Sequence, residues 1–105
     1  MIEAAAYVMS MDEKSFQRVV VEAATLYGWM VVHIRNMISN RSGIPDLLMY
    51  RGDRYLLAEI KTERGKVSPR QSAWHEEAAL SGVRVHVWRP SDWSAIERAL
   101  RADAA

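Results

Sequence analysis

Asp46, Glu59 and Lys61 have the residue types and the spacing to act together. Two apolar runs, DLLMY and YLLAEIKT, flank Arg51-Gly52-Asp53-Arg54. A Gly-Asp pair between such runs suits a two-residue hairpin turn with glycine at the first central position. With Gly52 and Asp53 in the turn, Arg51 opposes Arg54, and the same register carried back along both strands sets Asp46 directly across from Glu59. Cα atoms so placed are only ~4.5–5.5 Å apart, and opposed like charges are destabilising unless something neutralises them. A divalent cation would do so. Lys61 follows Glu59 by two residues, so strand alternation brings its ammonium to the face that carries both acids.

The donor types narrow the choice of ion. The chain has no Cys, and His33, His75 and His86 have no HxxxH or HExxH spacing, so each reads as structural. Hard oxygen donors of this kind favour Mg²⁺ or Mn²⁺ over zinc. Such an ion needs one or two protein carboxylates and completes its octahedron with water and phosphate oxygens. A lysine beside it can position or help deprotonate a water and offset negative charge building on phosphorus. Phosphodiester hydrolysis is the reaction class that follows. The formal net charge is only +1, yet residues 35–70 hold eight Lys/Arg against four acids. That basic stretch suits the backbone of a nucleic acid.

The elements that must position these groups are legible in outline. Ser10-Met11-Asp12-Glu13 has capping-box spacing, and Phe16, Val19, Val20, Ala23 and Tyr27 recur at helical intervals until Gly28. At 100° per residue, Glu13 falls about 60° from Phe16 on the apolar stripe, whereas Glu22 falls about 240° away on the outer face. Glu13 could therefore reach the acid pair if this helix packs on that face of the sheet. Residues 29–34 (WMVVHI) form a first strand, residues 35–44 a polar cationic loop, and the hairpin follows. Ser68-Pro69 opens a second helix running to about Ser81, with Ser as cap and Pro at the first helical position. Residues 83–88 (VRVHVW) alternate as a strand, and Arg89-Pro90-Ser91 leads into a last amphipathic helix with Trp93, Ile96 and Leu100. The four Trp belong to the core or to a subunit interface.

Composition bounds the rest. A chain of 105 residues with 50% hydrophobic and 26% charged residues fits one globular domain, with 11–105 as its body and 1–10 as an N-terminal arm. Zero Cys excludes a disulfide scaffold and thiolate chemistry and points to a reducing, cytoplasmic setting. No stretch reaches the length of a membrane helix or has the pattern of a signal peptide.

Gly43-Ile44-Pro45-Asp46-Leu47, then Glu59-Ile60-Lys61, resembles the PD-(D/E)xK nuclease signature. The surroundings resemble the VRR-NUC family of virus-type replication-repair nucleases over most of the chain: Glu13 with Phe16-Gln17, Gly28-Trp29, His33, Arg41-Ser42, Lys61-Thr62 to Ser68 with Gln71 and Trp74, and the ending 87–93. The resemblance implies an α/β fold with a restriction-endonuclease-like core in the order α-β-β-β-α-β-α, a four-stranded mixed sheet flanked by helices. It implies a Mg²⁺ or Mn²⁺ ion held by Asp46, Glu59 and the Ile60 carbonyl, Lys61 as the catalytic lysine, Glu13 as a helix-one acid near the metal and Gln71 as a glutamine completing the site. Arg35, Arg41, Ser42, Arg64, Lys66 and Arg70 are the candidate DNA contacts. Small stand-alone, phage-type members are similar to Holliday-junction resolvases, which implies branched DNA as substrate and a homodimer. The connection Arg41-Ser42-Gly43 is shorter than the family's usual one. The alternative is a non-catalytic nucleic-acid-binding module on the same fold; a sequence-specific restriction-type nuclease is a third reading, without a base-reading element to support it.

Overall fold

The structure is a computed structural model and describes residues 9–34 and 43–102. All but Met9 and Ser10 of the expected N-terminal arm, together with Arg35, Arg41 and Ser42, lie outside the described residues. The elements are α1 (Glu13–Leu26), β1 (Met30–His33), β2 (Leu47–Arg51), β3 (Arg54–Ile60), α2 (Pro69–Leu80), β4 (Val85–Trp88), a 3₁₀ turn (Pro90–Asp92) and α3 (Trp93–Arg101). Their order is α-β-β-β-α-β-α around one four-stranded sheet, β1-β2-β3-β4, antiparallel except for the parallel pair β3 and β4. This is the restriction-endonuclease-like core. No helix among the described residues is long and apolar enough to cross a membrane.

One boundary differs from expectation. The first helix is capped by Asp12, whose carboxylate accepts the Ser15 N–H at 2.7 Å, and not by Ser10. An ionised cap makes a stronger, charge-assisted bond and complements the positive end of the helix dipole; that bond holds the Asp12 carboxyl below its ordinary range. Glu13 is consequently the first helical residue and has no part in a capping box.

The hairpin register is the expected one. Leu47 pairs with Ala58, Met49 with Leu56 and Arg51 with Arg54, and Gly52 takes the positive φ of 61° that the turn requires. Leu47, Met49, Leu56, Ala58, Ile60 and Trp88 share one face of the sheet, where they meet Phe16, Val20 and Ala24 of α1 and Ile96 and Leu100 of α3. Burying each large apolar side chain there contributes about 1.5–3 kcal/mol. This is the core, and α1 lies on it.

Arg51 and Arg54 sit opposite one another on the core face, two cations in the place of a cross-strand pair. They are reconciled by the C-terminus of α3. Arg51 donates to the carbonyls of Tyr27 (2.8 Å), Leu100 (3.0 Å) and Ala102, and Arg54 to those of Ala102 (2.6 Å) and Ala99 (3.4 Å). Both guanidinium groups also lie over the Trp29 ring, at 4.9 and 5.3 Å from its centroid. Helix-end carbonyls carry partial negative charge, and an indole face attracts cations. Two members of the basic stretch are thus tied into the fold.

The other face carries Met30 and Val32, Leu48 and Tyr50, Tyr55, Leu57 and Glu59, and Val85 and Val87. Helix α2 packs beside β4, reaches Glu59 of β3 through Gln71 and buries only that side chain, while Met30, Tyr50 and Tyr55 stay exposed.

On β4, His86 lies beside Trp88 with ring centroids 5.7 Å apart. Burial first, and then the nearby Arg84 charge, hold its pKa below the ordinary histidine value. The unfolded chain therefore binds this proton more readily than the folded one, so stability rises with pH through the window just below about 6.5 and is lost on acidification. Thermal melts between pH 7.5 and 5.5 should show Tm falling with pH, with a shallower fall in His86→Gln; identical slopes in the two proteins would refute this.

Candidate active site

The β2 ladder stops at Leu47, and Pro45 is the reason. Continuing the register sets Asp46 against Glu59 and Pro45 against Ile60. The Lys61 N–H donates to the Trp88 carbonyl of β4 at 3.0 Å, so the peptide groups of Ile60, one residue back, point the other way, toward β2. There Pro45 has no N–H to offer the Ile60 carbonyl. The chain bends at Asp46, and the Asp46 carboxylate takes over as partner: its Oδ2 accepts the Ile60 N–H at 2.7 Å. The Asp46 carbonyl accepts from Ile34 N–H at 3.0 Å, tying the same residue to the end of β1.

Across from Asp46, Glu59 is fully buried, and Asp46 itself is 3% exposed. The Gln71 amide holds Glu59, donating from Nε2 to Oε2 at 3.0 Å. The orientation of that amide is set at its other end, where Gln71 Oε1 accepts the Ser68 N–H at 2.8 Å while Ser68 Oγ accepts the Gln71 N–H at 3.1 Å. This reciprocal capping box leaves only the NH₂ group to turn toward the carboxylate. One side chain thus starts α2 and fixes Glu59. One turn further along α2, His75 Nε2 lies 3.8 Å from Glu59 Oε1. Burial, and then the charge of Lys61, hold the His75 pKa below its ordinary value.

Lys61 is partly exposed and leaves the sheet beside Glu59. The loop that follows is gathered by Arg89, which donates to the carbonyls of Thr62 (2.8 Å), Gly65 (2.6 Å) and Glu63 (3.4 Å). The Glu63 carboxylate in turn accepts the Ser91 N–H at 3.0 Å, a bond that holds its pKa down. Sequence reasoning assigns Arg89 only to the approach to the last helix; the structure makes it the clamp on the Lys61 loop. Of the candidate DNA contacts, Arg64 and Lys66 are exposed on this loop, and Arg70 is exposed in the first turn of α2.

Glu13 opens α1 and is half-buried. The tight turn at Gly28 and the 3.3 Å contact of Gln17 with His33 put the start of α1 at the end of the sheet where β1 finishes, near Asp46. Yet α1 packs on the core face and not on the face carrying Glu59, which is where Glu13 was expected to point. Among the described residues no group of three or more His, Asp or Glu side chains is arranged to hold a metal ion. His75 is the neighbour that sequence reasoning passed over as structural. Its one signal was the i to i+4 step from Gln71, which puts both on one helix face.

Gly43 brings the Asp46 segment against α2. Its φ is +78°, and a Cβ there would meet the Arg70 carbonyl oxygen at 2.4 Å and the Gln71 nitrogen at 2.8 Å, both backbone atoms that cannot move aside. Gly52 also has a positive φ but has nothing within 4 Å of such a Cβ. The two alanine substitutions therefore separate backbone strain from collision. Gly52→Ala should cost about 1–2 kcal/mol, and Gly43→Ala should cost that plus about 1–3 kcal/mol of overpacking. Urea unfolding checks this, and equal losses would contradict the close approach.

Residues 7–92 match the family model for the VRR-NUC domain. No curated protein and no solved structure shows a significant match to the chain. The matched span runs from before α1 into the 3₁₀ turn and so takes in the whole sheet, the acid pair, Lys61 and Gln71. It is by far the greater part of the chain, which therefore belongs to the VRR-NUC family of PD-(D/E)xK nucleases.

Proposed function

We propose that this nuclease-type domain is a Mg²⁺- or Mn²⁺-dependent endonuclease that hydrolyses DNA phosphodiester bonds, with branched DNA as its substrate and a homodimer as its working form. The observation that carries the reading is the burial of two opposed carboxylates, Asp46 and Glu59, at the broken end of a β ladder. Ionised carboxylates taken out of water need a compensating cation. The Lys61 ammonium beside Glu59 offers one positive charge, and a bound divalent cation would supply the rest.

The donor set fits a hard divalent ion. Asp46 and Glu59 would hold it, with the Ile60 carbonyl, which Pro45 cannot satisfy, as a third oxygen. Two carboxylates and a carbonyl leave positions for water and phosphate oxygens, the arrangement Mg²⁺ prefers. When bound, the ion supplies Lewis acidity at the phosphoryl group and lowers the pKa of nearby water. The chain's own groups do the rest. Gln71 keeps Glu59 turned toward the site. The Lys61 ammonium orients the attacking water in line with the leaving oxygen and counters charge as the phosphorus becomes pentacoordinate. Glu13, at the same end of the sheet, belongs to this proposal as the helix-one acid near the metal. Arg64, Lys66 and Arg70, and with them Arg35, Arg41 and Ser42, neutralise neighbouring backbone phosphates.

One chain carries one such site, and paired symmetric cuts in a branched junction need two sites related by a twofold axis. Met30, Tyr50 and Tyr55, exposed on one sheet face, offer apolar surface of the sort a self-complementary contact buries. A cysteine-free chain acting on DNA suits the cytoplasm.

Incubation with a four-way junction, a linear duplex and a single strand in Mg²⁺ tests the reading beside Asp46→Ala and Lys61→Ala. Each substitution should lower the cleavage rate by about 10²-fold or more while leaving the circular dichroism spectrum unchanged. Equal residual cleavage in all three proteins would expose a contaminant and end the enzymatic claim. Junction binding without cleavage by the unaltered protein would favour a binding module instead.

A further inference from the structure

We infer that His75 is a positioning residue for the metal-binding carboxylate: its imidazole Nε2–H is the second hydrogen-bond donor that helix α2 presents to Glu59. The inference rests on the metal-dependent reading above and concerns how that site is held.

Gln71 and His75 are four residues apart on α2 and face the same carboxylate from one side of the helix. Gln71 Nε2 is on Glu59 Oε2 at 3.0 Å, and His75 Nε2 is aimed at Glu59 Oε1 from 3.8 Å. The two donors thus address the two oxygens separately. His75 Nε2 is shielded from solvent and has no hydrogen-bond partner among the described residues. A buried ring nitrogen in that condition forgoes about 1–3 kcal/mol, so a donor that can satisfy itself by a small shift is expected to do so. Closing the gap takes less than about 1 Å. The ring also lines a cavity of about 330 Å³ with Ala79, Gly82, Val83, Arg84 and Val85, so it is not packed on every side.

The consequence is geometric. Donors on both oxygens fix the plane of a carboxylate more firmly than a donor on one. Fixing the plane of Glu59 fixes the direction in which its remaining lone pairs are offered to a metal ion. Outer-shell partners of this kind typically change metal affinity by 10–100-fold when removed. They do so without contributing a ligand atom.

Mn²⁺ binding to the full chain, followed by electron paramagnetic resonance, reads this directly. His75→Phe keeps a ring of similar shape against the cavity and removes the donor; His75→Gln restores an N–H at about the same reach. Thermal melts without metal establish that each variant folds, and His75→Leu replaces His75→Phe if the latter does not. The expected result is Mn²⁺ affinity weaker by about 10–100-fold in His75→Phe, partly recovered in His75→Gln, with no ¹⁴N coupling to bound Mn²⁺ in the unaltered protein. Cleavage by His75→Phe should recover at saturating Mg²⁺, which a merely unfolded site would not allow. Unchanged affinity in the folded His75→Phe variant overturns the inference alone. A ¹⁴N coupling that vanishes in His75→Phe also overturns it, since His75 would then be a ligand. Failure of the unaltered protein to bind Mn²⁺ overturns the metal-dependent reading and this inference with it.

Discussion

Ile60 asks β2 for a donor that Pro45 does not have, and the site grows from that mismatch. A non-proline residue at 45 could extend the antiparallel ladder by another pair, with its peptide group satisfying both hydrogen-bonding groups of Ile60. With proline there, the backbone bends, and the Asp46 side chain substitutes for the missing strand on the Ile60 N–H at 2.7 Å. The register that opposes Arg51 to Arg54 at the turn holds as far as Leu47 and Ala58, and continued by one residue it would set Asp46 against Glu59.

The sheet divides its labour by face. One face carries the apolar residues that meet α1 and α3 and so provides most of the hydrophobic stabilisation. The other gives its buried end to Glu59 and takes from α2 a single buried side chain, which is polar. That cost is contained by making each polar group serve twice. Gln71 caps its helix and binds Glu59, Asp46 joins β1 to β3, and Arg89 gathers three carbonyls of the loop after Lys61. Gly43 closes the arrangement by letting the Asp46 segment touch the backbone of the first turn of α2.

Much of this was legible because its determinants are local. A Gly-Asp turn between two apolar runs fixes a register by counting, and Ser68-Pro69 announces a helix start whatever the rest of the chain does. What resisted reading depends on tertiary placement. The face on which α1 packs decides where Glu13 points, and its helical wheel locates the apolar stripe without saying which side of the sheet will receive it. Asp12 and Ser10 are both competent caps, and only the folded start of α1 distinguishes them. His75 escaped notice because the apolar residues of α2, among them Ala73, Trp74, Ala78 and Leu80, do not gather on one face, so periodicity could not mark its inward side; Gln71 marks it only once Glu59 is known to lie beneath.

On the proposed reading, Asp46, Glu59 and the Ile60 carbonyl would form one cation site at the broken ladder. The most direct measurement is a crystal structure of the protein grown with Mn²⁺ and recorded near the manganese absorption edge. The expected result is an anomalous peak within coordination distance of an Asp46 carboxylate oxygen, a Glu59 carboxylate oxygen and the Ile60 carbonyl, about 2.0–2.4 Å from each. A well-ordered site with no such peak, or with manganese bound elsewhere, would contradict it.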